Sequence, residues 1–148
     1  LEREGKLKAV ITQNIDGLHQ AAGSRNVLEL HGSVHRNHCQ RCGKFYGLEH
    51  ILRTGGVPRC SCGGIIKPDV VLYEEGLDQG TLEAAVRALA EADMLMIGGT
   101  SLNVYPAAGL IRYYQGHRLV LLNKSPVARD LAADLVITDP IGETLAQL

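Results

Sequence analysis

Met94-Leu95-Met96-Ile97-Gly98-Gly99-Thr100-Ser101 is the stretch that decides the fold, because an apolar run too short for a helix passes directly into two glycines and two hydroxyl residues. The same grammar recurs in Ala9-Val10-Ile11, Leu119-Val120-Leu121-Leu122 and Leu135-Val136-Ile137, each ending in polar or turn-forming residues. Four such runs read as buried parallel strands. Between the first and second, Leu82, Ala85, Val86 and Leu89 fall at i, i+3, i+4 and i+7 behind a Thr81 cap, which predicts a helix. A further helix is expected to begin with Pro106 at its first position and to stop at Gly116. Strand alternating with helix argues for an α/β fold with a parallel sheet covered on both faces. Ligands of such sheets bind at the carboxyl ends of the strands, here Thr12 to Asp16, Gly98 to Leu102, and Asn123-Lys124.

The chain has 148 residues, 45% of them hydrophobic, with a formal net charge of −1, enough for one compact core and too near neutrality for broad attraction to nucleic acid or anionic membrane. No apolar run approaches the ~20 residues of a membrane span. A soluble, cytoplasmic protein is the expectation. No internal repeat or low-complexity tract appears.

His31 to Pro68 breaks the strand–helix rhythm and reads as an insertion. It holds all four cysteines, as Cys39-Gln40-Arg41-Cys42 and Cys60-Ser61-Cys62 with 17 residues between the pairs. Two thiolate knuckles on such a loop can converge on one tetrahedral ion, and four sulfurs select structural Zn2+ with no open position for catalysis; disulfides or free thiols are the alternatives. The second knuckle is one residue short of the usual spacing, which the backbone freedom of Gly63-Gly64 is expected to accommodate.

Thr12-Gln13-Asn14-Ile15-Asp16-Gly17-Leu18-His19 follows a strand and is expected to open a short helix capped by Asp16 and closed at Gly23. Asn14 and Asp16 can be no more than turn residues there, or they can offer an amide and a carboxylate to a ligand. His31, before Gly32, is suited to proton transfer near neutrality, though a lone histidine is more often only packed or solvated.

Taken together, TQNIDGLH (12–19), ELHGS (29–33), CQRC with CSCGG, IIKPDVVLYEE (65–75), GGTSLNVYPAAGL (98–110) and LLNKSP (121–126) resemble the sirtuin family of NAD-dependent protein deacylases, in the family's order over nearly the whole chain. The resemblance implies a Rossmann-like part at residues 1–34 and 69–148, a zinc-ribbon lobe at 35–68, NAD+ as co-substrate, one structural Zn2+ and acyl-lysine proteins or peptides as substrates. It makes His31 the base that takes a ribose proton. Asn14 and Asp16 then belong to the nicotinamide pocket, and Gln13 contacts the nicotinamide ribose. Gly99, Thr100 and Ser101 match the loop at the cofactor phosphates and adenine ribose, Asn123 the adenosine ribose, and Lys124 and Ile141 the neighbourhood of the adenine. Extended peptide would add as a strand along Val71 to Glu75 and Asn103 to Tyr105, with Val71 and Leu72 walling the acyl-lysine and Glu75, Val104 and Tyr105 in the clamping segments.

Two departures stand out. The family pattern has glycine before the glutamate that Glu75 matches, whereas Glu74 stands there, and Gly76-Leu77-Asp78 replaces the usual Leu-Pro. The family's amino-terminal Gly-Ala-Gly-Ile-Ser turn and Asp-Phe-Arg loop have no match, so the expectation is a carboxyl-terminal portion whose sheet lacks its first strand and helix. The alternative function is a non-catalytic, zinc-bearing binding module. A third reading, a nucleic-acid binder using Arg36, His38, Arg41 and Lys44, lacks aromatic platforms, since the chain has one Phe and no Trp.

Overall fold

The computed structural model describes residues 1–125 and 132–147. Pro126, the last residue of one motif above, lies outside the described residues. The fold resolves into two compact units, residues 10–82 and residues 1–9 with 83–148.

In the first unit, β1 (Val10–Thr12) pairs in parallel with β2 (Val27–Glu29), Val10 opposite Val27 and Thr12 opposite Glu29. The short helix α1 (Leu18–Ala21) lies between them. The remainder is an antiparallel sheet ordered β4-β3-β5, made of β3 (Gly32–Cys39), β4 (Phe45–Gly47) and β5 (Ile66–Val70), with helix α2 (Leu48–Leu52) following β4. Its core is Cys39, Cys60 and Ile66, flanked by Tyr46, Ile51 and Cys62. The β3–β5 register slips: Gly32 and Ser33 face Val70 and Asp69, but the next β3 partner is Asn37, opposite Pro68.

The second unit holds a parallel sheet ordered β6-β7-β8, from β6 (Leu95–Gly98), β7 (Leu119–Leu122) and β8 (Leu135–Ile137). Ile97 and Leu121 pair directly and, with Leu102 and Ala108, make its core. Ala108 comes from a 3-10 helix over Ala107–Tyr113, and α4 (Ile141–Leu145) follows β8. Helix α3 (Gln79–Ala90) spans the division between the units and buries Ala85 and Leu89, four residues apart on one face.

Several local expectations change. Asp78, not Thr81, caps α3: its Oδ1 accepts both the Thr81 N–H and the Thr81 hydroxyl at 2.8 Å. The helix after Pro106 is a 3-10 turn that ends at Tyr113, short of Gly116. Asp16 does not cap α1 directly; Gly17, at φ 71°, holds that position, while Asp16 Oδ1 accepts the Leu18 N–H at 3.0 Å. Gly23, at φ 100°, does close the helix region. β8 is not buried on both faces, since Leu135 and Val136 are 51% and 55% exposed. It is an edge strand of its three-stranded set, whereas central β7 buries Leu122 to 1%. The four expected strands belong to two separate hydrogen-bonded sets, β1-β2 and β6-β7-β8.

Candidate functional site

β3 delivers Cys39 at its last residue, and the turn behind it is closed by Gly43 N–H to Cys39 O and Cys39 N–H to Lys44 O. The second knuckle is tighter. Cys60 N–H reaches Gly64 O and Gly63 N–H reaches Cys60 O, each at 2.8 Å, and Arg59 bridges Ile65 behind them. Gly63 supplies the turn with φ 84°, as expected; Gly64 supplies room instead, since a Cβ there would sit 2.6 Å from Cys39 Sγ. All four sulfurs lie within 4.8 Å of one another, with Cys39–Cys62 at 3.5 Å and Cys42–Cys60 at 3.6 Å. A disulfide needs about 2.05 Å, whereas a tetrahedral ion with bonds of about 2.3 Å spaces its sulfurs about 3.8 Å apart. The arrangement therefore suits a single metal ion.

The thiols respond to their crowding. N–H of Cys62 and the Tyr46 hydroxyl, which lies 3.0 Å from Cys60 Sγ, bring the Cys60 thiol down to about 5. Cys62 goes the other way, to about 12: the Gly64 N–H favours its thiolate, but the sulfurs of Cys39, Cys42 and Cys60 together hold its proton in place. Burial opposes ionisation of Cys39, yet the N–H groups of Cys42 and Arg41 bring its thiol below the ordinary value. Adjacent thiolates cannot all ionise alone, and a cation would take the place of the shared protons.

The loop bearing Gln13, Asn14 and Asp16 is brought together with His31 in the same unit. His31 Nδ1 lies 3.0 Å from Gln13 O. A carbonyl can only accept, so Nδ1 carries the proton and Nε2 is left as the basic nitrogen. Two more carbonyls of the loop are held by β3: Ile15 O accepts the Val34 N–H at 3.1 Å, and Asp16 O lies 2.9 Å from His35 Nε2. The His35 ring also covers Gly17, where a Cβ would meet Cδ2 at 2.8 Å. His35 was not singled out from the sequence; nothing local in the motif announces a bond spanning 19 positions. Asn14 is exposed, and its N–H is satisfied by Thr12 Oγ1.

Val71 donates its N–H to His31 O at 3.0 Å, and the following turn is fastened by Glu75, whose Oε2 accepts Leu72 N–H at 2.9 Å and Lys67 Nζ at 3.2 Å. Those donors, the Leu72 N–H foremost, hold the Glu75 carboxyl below its usual range. Lys67 Nζ also donates to Val70 O at 2.9 Å, so one ammonium gathers the segment Val70 to Glu75. Glu74 adopts φ 72°. Val71 is half-buried, and Leu72 and Tyr73 are exposed.

In the other unit, an open cavity of about 220 Å³ lies at the strand ends, lined by Gly99, Leu122, Asn123, Lys124, Asp139 and Ile141. Gly99 has φ 63° and ties its N–H to Leu122 O at 3.1 Å. Four of the expected cofactor residues thus share one cavity; Thr100 and Ser101 adjoin it in sequence without lining it. Thr100 instead uses its hydroxyl to accept the Leu102 N–H at 3.1 Å. Asp139, two residues beyond β8, was missed, although the strand-end rule applied to Leu135–Ile137 would have found it. Val104 and Tyr105 are exposed in the loop before the 3-10 helix.

A Rossmann-like parallel α/β unit with a cavity at its strand tips, joined in one chain to a four-cysteine unit that carries a loop-bound histidine, defines a two-part α/β protein with a metal-competent centre. The Sir2 family model matches residues 1–106. The chain is 61% identical over 147 residues to an NAD-dependent protein deacetylase of Clostridium acetobutylicum, covering 98% of this chain and 60% of that protein. A second, of Clostridium perfringens, is 61% identical over 150 residues, covering 100% and 62%. Among solved structures, one of Sir2 with p53 peptide and NAD+ superposes with a TM-score of 0.90 at 40% identity, covering 99% of this chain and 64% of that one. Sir2 bound to acetylated peptide also gives 0.90, at 39% identity and with coverages of 99% and 64%. This chain belongs to the Sir2 family. It spans about 60% of the length of the curated relatives it matches.

Proposed function

We propose that this chain serves an NAD-dependent protein lysine deacylase, which transfers an acyl group from lysine to ADP-ribose and releases nicotinamide. The observation that carries the reading is the 3.0 Å contact between His31 Nδ1 and Gln13 O, from which the tautomer follows. With Nδ1 committed to Gln13 O, the ring points no proton from Nε2, and that nitrogen takes the proton of a ribose hydroxyl as general base. Asn14 and Asp16 hold the carboxamide and a water molecule in the nicotinamide pocket, and Gln13 contacts the adjoining ribose. Gly99, Thr100 and Ser101 approach the phosphates and adenine ribose, Asn123 the adenosine ribose, and Lys124 and Ile141 the adenine. The open cavity at the strand ends supports the last group. Acyl-lysine peptide pairs with main-chain groups of Val71 to Glu75 and Asn103 to Tyr105, so its sequence is read loosely.

Cys39, Cys42, Cys60 and Cys62 hold one structural Zn2+, which supplies folding free energy and enters no chemical step. Residues 35–68 constitute the zinc-ribbon lobe of this reading, and a tetrathiolate site is in keeping with a reducing compartment such as the cytoplasm. The relatives' names and the peptide- and NAD-bound Sir2 structures support the reaction class. The test is nicotinamide release from NAD+ in the presence of an acetylated peptide, with His31→Ala as the partner measurement. Loss of a general base should lower turnover ~100-fold or more with the fold retained. Undiminished release from His31→Ala would overturn the assignment.

A further inference from the structure

Four thiolates around one divalent ion leave a net double negative charge on sulfur, and that charge needs hydrogen-bond donors. Backbone supplies one to Cys39, whose Sγ lies 3.4 Å from the Arg41 N–H. Cys60 is different. It is 5% exposed, and the hydroxyl of Tyr46, 14 residues away in sequence on β4, approaches its Sγ to 3.0 Å. The Tyr46 ring is itself fixed: it packs on the buried Cys39–Cys60–Ile66 cluster, meets the His50 ring at 4.5 Å between centroids, and lies under Lys44 Nζ at 5.5 Å. A cation over the ring face makes the phenol a stronger donor. Ser61 Oγ is 3.9 Å from the same sulfur, at the outer limit of such a contact.

We propose that Tyr46 is a positioning residue of the metal centre, whose O–H donates to the Cys60 sulfur, withdraws electron density from it and slows departure of that sulfur from the ion. The inference rests on the Zn2+ assignment made above. Donation leaves the sulfur less open to protonation, the step that frees a ligand and opens the ion to a chelator, and the fixed ring keeps Cys60 aimed at its three partners. This is the same division of labour by which partners of metal ligands in other proteins govern affinity, commonly by 10–100-fold.

Tyr46→Phe keeps the ring and deletes only the donor. The whole chain is purified as wild type, Tyr46→Phe and Ser61→Ala. Bound zinc is counted by mass spectrometry, its release is timed at one pH into excess pyridylazoresorcinol, and the sulfur-to-cobalt charge-transfer band is recorded after Co2+ replacement. Tyr46→Phe is expected to keep one ion and wild-type circular dichroism, to release zinc ~10-fold faster, and to shift the band to longer wavelength because the sulfur is more electron-rich. Ser61→Ala is expected to match wild type in all three. A loaded wild type whose release rate and band are unmoved by Tyr46→Phe overturns this inference alone. A wild type that takes up neither Zn2+ nor Co2+ overturns the zinc assignment and this inference with it.

Discussion

Replacing Gly32 by alanine tests how closely His31 is tied to the pairing of β3 and β5. Gly32 has φ 75°, and a Cβ built there falls 1.7 Å from Asp69 O and 2.8 Å from Asp69 C. Restoring that contact to about 3.3 Å moves the strands apart by about 1.6 Å, which carries neighbouring N–H···O bonds of about 2.9 Å beyond bonding distance. Two ladder bonds at ~1 kcal/mol each, plus ~1–2 kcal/mol for a side chain in the left-handed region, outweigh the ~0.4–1 kcal/mol gained from a stiffer unfolded chain. The net expectation is a loss of about 3 kcal/mol. Gly43→Ala is the control, because its φ is 71° and its Cβ would meet nothing within 4 Å. It should lose only about 0.5–1 kcal/mol. Urea titrations followed by circular dichroism measure both; with a slope of about 1.5–2 kcal/mol per molar, Gly32→Ala lowers the midpoint by about 1.5–2 M. Losses for the two variants within about 1 kcal/mol of each other would refute the argument from strand contact.

Glu74→Gly is expected to stabilise by about 0.5–1 kcal/mol, since φ 72° costs a side chain ~1–2 kcal/mol and glycine returns ~0.5–1 kcal/mol in chain entropy; an unchanged or lower urea midpoint would contradict this. Asp78→Ala removes the cap of α3 and should lower the melting temperature at neutral pH. The Thr81 N–H and hydroxyl depress the folded carboxyl, so its contribution is complete above the ordinary aspartate range and fades as pH falls through the lower folded value. Melting curves of the two proteins should therefore converge in acid, and a gap that widened there would exclude the linkage.

How far the sequence could be read depends on whether the signal is local. β7 and β8 occupy the residues their apolar runs mark, because hydrophobicity and pairing coincide there. β1 and β6 sit one residue later than their apolar runs, since Thr12 pairs with Glu29 and Gly98 with Leu122 regardless of hydrophobicity. β2, only Val27–Glu29, is too short to show a period. The cysteine centre was legible from spacing alone, and the strand-end rule led to Gly99, Asn123 and Lys124. Tyr46, His35 and Lys67 were not, because each acts through a contact set by the folded chain. Glu74 is intermediate: the glycine of the family pattern marks a position where φ is positive, and the structure retains that conformation despite the side chain.

The slip in the β3–β5 register explains why the histidine loop can be held at all. Between Ser33–Asp69 and Asn37–Pro68, residues 34–36 have no partner in the β5 register. Pro68 has no N–H to offer a regular ladder, so a break beside it costs little. The released stretch turns to the loop instead: Val34 N–H goes to Ile15 O and His35 Nε2 to Asp16 O, while Asn37, 1% exposed, closes the bulge by donating to Val34 O at 3.0 Å. Without the bulge, Val34 would be drawn into pairing with β5 and the carbonyls of Ile15 and Asp16 would lose their holders. Gln13 O, on the same loop, would then no longer be fixed opposite His31 Nδ1. The basic nitrogen of His31 is thus specified by an irregularity several residues further on, in the strand that follows it.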